Sequence, residues 1–508
     1  MPTLFRNGRI YTPHGPGATA LLADGDEIGW IGDEAAAAEY AGLPVVDLGG
    51  ALVTPAFVDA HVHATSTGLA LTGLDLRGVG TLTGALDAVE RAARAARGRP
   101  LLGSGWDETT WPERRPPTAA ELDRAAYGGA VYLARVDVHS ALASSALMAA
   151  VPELAARAGF DPAGWLRGPA HDAVRAAALG ALTPAQRADA QRAALRHAAG
   201  LGIAQLHEMA GPVISSVDDL AGLLALAAAE PLPQVVGYWA ELFGIDTARA
   251  VGAVGAAGDL FCDGSLGSHT AALHEPYADR PDTRGSLRFA TADLAEHIRQ
   301  CGAAGLQAGF HAIGDAAVDQ VLDAFAAASA QLGRPVGPGH RIEHAEFVRD
   351  PARLAATGLV ASVQPCFDAL WGGADGMYAE RLGAERAAQL NPFRQLHDAG
   401  VQLAFGSDAP VTELGPWAAV RAAVWPHHAA AGVPLPVAFA AHTAGGRRAA
   451  GLGGAGLRPG APATFAVWAA EPGAAGLPDV SPGRELPVCL ATVRDGTVIH
   501  DAGLGLPG

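Results

Sequence analysis

The 508-residue chain contains no lysine: all 35 of its Lys and Arg residues are arginines. A phosphate-binding loop ending in Gly-Lys-Ser/Thr is therefore excluded, although Ser265-Leu266-Gly267-Ser268-His269 has the small residues of one. Basic charge is also outnumbered, with a formal net charge of −17. Counterion release on a nucleic acid needs clustered basic side chains, so no nucleic-acid partner is expected. Cysteine is reduced to Cys262, Cys301, Cys366 and Cys489, without a Cys-x-x-Cys pair, which predicts reduced thiols rather than a disulfide framework. No secretory segment leads the chain and no apolar run approaches about 20 residues. The expectation is a cytoplasmic protein with no membrane span.

What the chain does have is 50% hydrophobic residues, 65 glycines and 35 prolines, the composition of a globular protein rich in tight turns. Strand-like segments with turn signals at Asn7-Gly8, Asp24-Gly25 and Gly32-Asp33 fill the first 52 residues. Similar segments, Gly460 to Trp468 and Val488 to Ile499, lie near the C-terminus. Because chain termini often lie close, 1–52 and 455–508 are expected to form one composite β-sandwich domain. In the long middle, 53–454, apolar runs alternate with alanine-rich helical stretches, which predicts an α/β architecture, a (β/α)8 TIM-like barrel. The runs exceed eight, so an inserted subdomain is expected at about 97–200.

The stretch Val53-Thr54-Pro55-Ala56-Phe57-Val58-Asp59-Ala60-His61-Val62-His63 is an apolar run ending in two histidines that leave a strand on one face. Two neutral imidazoles there make half of a metal site, although 18 histidines would give about 0.6 such pairs by chance. Later apolar runs end in His207-Glu208, Asp263, His311, His344 and Ser407-Asp408. The C-terminal strand ends form the active-site face of such barrels, and the recurrence of ligand-type residues at strand ends carries more weight than any one pair. Bland readings stand beside these: hydrogen-bonded core histidines, a capping Asp408, Trp106 and Trp111 as core residues, an Arg135-Asp137 structural ion pair, and His427-His428 as a surface or helix-end pair.

Pro55-Ala56-Phe57-Val58-Asp59-Ala60-His61-Val62-His63, His311-Ala312-Ile313-Gly314-Asp315, Arg341-Ile342-Glu343-His344-Ala345 and Phe405-Gly406-Ser407-Asp408 resemble the motifs of the amidohydrolase superfamily. Gly105-Trp106-Asp107, Trp111-Pro112-Glu113, Arg135-Val136-Asp137-Val138-His139 and Asp263-Gly264-Ser265-Leu266-Gly267-Ser268 are similar to signatures of its YtcJ-like members, amidohydrolase family 3. The resemblance implies that His61, His63, His311 and Asp408 hold one divalent ion, zinc by its liking for such donors. It implies Asp408 and His344 as catalytic residues. Asp408 moves a proton from metal-bound water to the leaving group, and His344 either binds a second metal or, as favoured here, hydrogen-bonds the attacking hydroxide or the substrate oxygen. Trp106, Asp107, Arg135, Asp137 and His139 become candidates for binding the substrate, and Glu208 and Asp263 remain candidate carboxylate ligands.

The chain departs from the pattern at Gly258-Asp259-Leu260-Phe261-Cys262-Asp263-Gly264, where many relatives carry a carbamylated lysine at the position of Asp259. Without lysine a carbamate bridge is chemically excluded, and the shorter Asp259 reaches a bridging position only if the backbone moves, so a single ion is expected. The implied activity is hydrolysis of a non-peptide C–N bond (amide, formamide or cyclic amide) by metal-bound hydroxide on a small-molecule substrate. A metal-dependent deaminase and a non-catalytic binding protein on the same scaffold are the alternatives, and a homodimer is an open expectation.

Overall fold

The computed structural model describes residues 2–12, 17–108, 111–135, 140–337, 339–453, 456–471, 473 and 476–506. The chain divides into two compact units, one formed by Met1–His63 with Leu195–Gly508 and the other by Ala64–Ala194.

In the first unit eight strands lie side by side, all parallel: β1 (Phe57–Val62), β2 (Ile203–Ala210), β3 (Gln234–Trp239), β4 (Gly255–Ala256), β5 (Gln307–Ala312), β6 (Arg341–His344), β7 (Val360–Val363) and β8 (Gln402–Phe405). A parallel bridge between Val62 and Ala409 joins the last strand to the first. Asp408 N–H donates to His61 O at 2.8 Å and His63 N–H to Ala409 O at 3.0 Å. The result is the TIM-like barrel that strand-helix alternation requires, because a parallel sheet must bury both faces and connects its strands by crossovers. Helices such as Val217–Ala229, Thr291–Ala304 and Asp315–Leu332 supply those crossovers. The first of them starts where Ser216 accepts a hydrogen bond from the Asp219 N–H, satisfying an end-of-helix donor.

The apolar run that ends at Asp263 does not form the barrel strand. Leu260 to Cys262 is apolar, yet the barrel strand is the short upstream pair Gly255–Ala256, and only Phe261 returns to bridge His311. Gly258, at φ +97°, lies between them. Its backbone is in the region that favours glycine, and it turns the chain out of the sheet before Asp259.

The front of the chain forms one further sheet of this unit and shares a second with the chain's end. One has the order Glu27–Gly32, Ala20–Asp24, Thr3–Arg6, Val45–Asp47; the other runs Arg9–Ile10, Leu52–Pro55, Phe465–Ala469, Val488–Arg494, Thr497–Asp501. Phe5, Leu21, Ile28 and Val53 from the front of the chain and Phe465, Val467 and Val493 from its end form one core. The strand carrying His61 is tied to this region through Phe57, whose ring packs edge-on to Trp417 and Trp468 at 5.0 and 5.6 Å.

The second unit is a five-stranded sheet in the order Trp165–Arg167, Ser140–Ala143, Val131–Arg135, Leu101–Trp106, Leu74–Asp75. It begins at Ala64 rather than near 97 because Leu74–Asp75 pairs in parallel with Leu101–Trp106 and the helix Leu82–Ala96 packs into the same core. No helix among the described residues is long and apolar enough to cross a membrane.

Candidate metal centre

The C-terminal ends of the barrel strands bring four imidazoles and two carboxylates together. His61 and His63 leave β1 on one face, as their spacing dictates. The first is fully buried and the second largely so. His311 ends β5, and His344 ends β6 with its backbone at φ +68°. Asp408 follows β8 at φ +56°. Non-glycine residues in this region are uncommon and carry strain that packing must offset; here two of them present their side chains to the centre.

Each ring is held by the nitrogen that faces away from the centre. His61 Nδ1 lies 2.9 Å from Glu343 Oε2, His63 Nδ1 3.0 Å from Met209 O, His344 Nδ1 2.8 Å from Gln364 Oε1, and His311 Nε2 3.1 Å from Gly264 O. Those oxygens can only accept, so each ring donates to them and directs its other nitrogen inward. Partners of this kind orient metal-binding histidines.

Asp259 occupies the middle. Its Oδ2 is 3.4 Å from His61 Nε2 and 3.2 Å from His63 Nε2, and its Oδ1 is 3.4 Å from His311 Nδ1 and 3.3 Å from His344 Nε2. Asp408 Oδ1 approaches His63 Nε2 to 3.1 Å and His61 Nε2 to 3.6 Å. The potential ligand atoms fall into two groups, His61-His63-Asp259-Asp408 and Asp259-His311-His344. The four residues expected around one ion therefore do not converge: His311 joins Asp259 and His344 instead. His344, for which both metal binding and hydrogen bonding are expected possibilities with the second favoured, presents its Nε2 to Asp259 Oδ1 in the second group. Among the described residues neither group includes Glu208 or Asp263. Asp263 instead accepts from the N–H groups of Ala272, Ile313 and Gly314 at 2.9, 3.1 and 2.9 Å, pinning the loops around His311.

The electrostatics suit a cation. Burial opposes charge on His61 and His63, but Asp259 and Asp408 outweigh it and make both rings more basic than usual, His63 to about 10. Burial likewise opposes charge on Asp259, yet the surrounding imidazoles hold its carboxyl well below the usual range. His61 Nε2, His311 Nδ1 and Asp408 Oδ1 are buried without a hydrogen-bond partner. A buried polar atom left so costs about 1–3 kcal/mol, and a divalent ion among His61, His63, Asp259 and Asp408 offsets that cost for His61 Nε2 and Asp408 Oδ1 while matching an N- and O-donor set. The residues present thus fit a metal.

Beneath the centre a buried pair was not singled out by sequence reasoning. Arg341 Nε lies 2.6 Å from Glu343 Oε1, and the guanidinium also donates to Ala60 O, Ser362 Oγ and His207 Nδ1. Burial would raise the Glu343 carboxyl, but Arg341 and His61 bring it down to about 2, so it stays an anion behind His61. The alternation of Arg341 and Glu343 into the barrel was readable from their spacing; their mutual pairing was not.

The residues named for substrate binding lie in the second unit. Trp106 is fully buried in that unit's core, its indole N–H donating to Leu133 O at 2.8 Å. Arg135 reaches Glu108 at 3.0 Å and Asp107 at 3.2 Å. Asp137 and His139 lie outside the described residues.

An eight-stranded parallel barrel with imidazoles and carboxylates gathered at its C-terminal strand ends has the form of a metal-dependent hydrolase. The chain belongs to the amidohydrolase family, whose model matches residues 44–500. It is 30% identical to the protein LONG AFTER FAR-RED 3 of Arabidopsis thaliana, covering 83% of this chain and 74% of that one. It is 28% identical to the putative amidohydrolase YtcJ of Bacillus subtilis (84% of both) and 24% identical to the N-substituted formamide deformylase of Arthrobacter pascens (82% of both). Among solved structures it resembles an uncharacterized metal-dependent hydrolase from Pyrococcus furiosus, with a TM-score of 0.77 at 28% identity over 92% of this chain and 98% of that one.

Proposed function

We propose that this chain hydrolyses a C–N bond other than an ordinary peptide, in an amide, formamide or cyclic amide, with a zinc-like divalent ion held by His61, His63, Asp259 and Asp408. The observation that carries the reading is the convergence of His61 Nε2, His63 Nε2 and carboxylate oxygens of Asp259 and Asp408 within 3.1–3.6 Å at the active-site end of the barrel. When bound, such an ion polarises a carbonyl and lowers the pKa of water from 15.7 to about 7.

The chain's own residues do the rest. Asp408, its Oδ1 3.1 Å from His63 Nε2, accepts the proton of the attacking water, then returns it to the departing amine. Glu343, kept ionised by Arg341, holds His61 in the tautomer that points Nε2 inward. Met209 O does the same for His63. Similarity to an N-substituted formamide deformylase supports the choice of a C–N bond.

The test is a panel of formamides, cyclic amides, peptides and aromatic amines, assayed with protein stripped by a chelator and then restored with Zn(II). Cleavage of at least one non-peptide amide, lost on stripping and recovered on restoring, is expected. Unchanged turnover in metal-free protein sinks the mechanism; ammonia release from amines with no amide cleavage moves the assignment to a deaminase.

A further inference from the structure

The loop that leads from β4 to the helix Thr291–Ala304 carries three arginines, Arg280, Arg284 and Arg288, and two of them are tied down. Arg280 pairs with Asp282 at 3.0 Å, and Arg284 donates to His274 O at 2.7 Å. Arg288 is held differently. Among the described residues its guanidinium makes no hydrogen bond or ion pair, and it lies over the Phe261 ring, 5.2 Å from the ring centroid. Stacking engages the face of a guanidinium and leaves the N–H groups around its edge free to donate.

The backbone places that edge beside the metal centre. Phe261 and His311 are partners in a parallel bridge. Residues directly opposed on neighbouring strands point to the same face, so the Phe261 side chain follows His311 towards the active-site end of the barrel. The two rings meet edge-on, 4.7 Å apart at 61°. Cys262 N–H donates to His311 O at 3.0 Å and Arg288 N–H to Cys262 O at 2.8 Å, which ties the arginine's backbone to the same segment. Phe261 is half-buried and Arg288 exposed, so the pair is open to an incoming molecule. The guanidinium is no farther from the His311 ring than those two ring distances laid end to end.

We propose that Arg288, held on Phe261, is a specificity-determining residue that receives a carboxylate carried by the substrate, so that the amides cleaved at this centre are anionic ones whose carboxylate lies a few bonds from the scissile C–N bond. This rests on reading the centre as the metal site of a C–N hydrolase and deepens that reading by naming the substrate class. A guanidinium meets a carboxylate through two parallel hydrogen bonds, and the Phe261 ring gives the carbon chain between the two ends an apolar surface. On a chain with a net charge of −17, a free cation beside the centre is where an anionic group is drawn in.

The experiment reads binding rather than turnover. The Zn(II)-loaded full chain is titrated calorimetrically with butanehydroxamic acid, whose hydroxamate grips a metal ion, and with the monohydroxamic acids of succinic, glutaric and adipic acid, which add a carboxylate at increasing distance. In the wild type at least one carboxylate-bearing probe is expected to bind about 10-fold more tightly than the neutral one, the worth of a hydrogen bond to a charged group. Arg288→Met and Arg288→Gln, each checked for folding by thermal melts, are expected to bring that ratio to one or below. A wild type that binds all four probes equally, or variants that keep the preference, overturns the proposal and leaves the proposed function standing. If no hydroxamate binds, the reading of the centre as a metal site falls, and this proposal falls with it.

Discussion

At the scale of single residues, the centre depends on side chains that never touch a substrate. Glu343 fixes His61 and neutralises Arg341 inside the barrel. Removing one member of a buried ion pair costs about 3–5 kcal/mol, because the other charge is left without a partner. Loss of such a ligand-orienting carboxylate lowers metal affinity by about 10–100-fold. Glu343→Gln is expected to do both, and denaturant unfolding together with a metal titration checks it. His340 gives a pH effect of known sign. Burial brings its imidazole down to about 4, while Nδ1 accepts from the Ala308 N–H at 2.8 Å. Between pH ~6.5 and ~4 the unfolded chain binds a proton that the native one does not, so stability is lost as pH falls through that window. His340→Asn, which can still accept from Ala308, should remove at most about 3 kcal/mol of that acid sensitivity, seen by comparing urea unfolding at pH 7 and pH 4.5.

At the scale of elements, the barrel's fourth strand and the turn that follows it decide where Asp259 goes. A Cβ on Gly258 would come within 2.7 Å of Met209 Sδ, and at φ +97° an L-residue is strained whatever the space. Gly258→Ala is therefore expected to cost about 1–3 kcal/mol. Because Met209 O also holds His63, metal uptake should weaken with it. Gly302→Ala is the control: it lies inside the helix Thr291–Ala304 with nothing within 4 Å of the new Cβ, and should be neutral or stabilising by up to about 1 kcal/mol. Thermal melts and metal titration of the two variants separate a local effect on the centre from a general glycine effect. The apolar run Leu260 to Cys262 misled sequence reasoning at this level because a hydrophobic pattern marks burial, and a loop laid against the end of β5 is as buried as a strand.

At the scale of the whole molecule, every ligand candidate in the centre belongs to the unit made of Met1–His63 and Leu195–Gly508, while Ala64–Ala194 has its own sheet and core. A ligand that binds only the native state stabilises it by about 4 kcal/mol at a thousand times its dissociation constant. Chelation should therefore lower the melting temperature. In hydrogen exchange it should loosen β1, β5, β6 and the segment after β8 more than the sheet of Ala64–Ala194. Equal loosening of both units would place the metal's influence elsewhere.

By itself the sequence determined the barrel and the presence of ligand-type residues at the ends of its strands. Those features are periodic or positional: apolar runs of strand length, helices between them, and ligand-type residues where each run stops. His61 and His63 share a face by strand geometry alone, and the absence of lysine settles the carbamate question by chemistry alone. Only the tertiary structure decided how the ligands are shared out. His311 and His344 come from strands adjacent in the sheet and face Asp259, whereas Asp408 meets His61 and His63 because the barrel closes between its last and first strands. Such pairings follow from strand order and closure and from one glycine turn before Asp259. No local pattern encodes them, because they are distances between residues as many as 347 positions apart, as between His61 and Asp408.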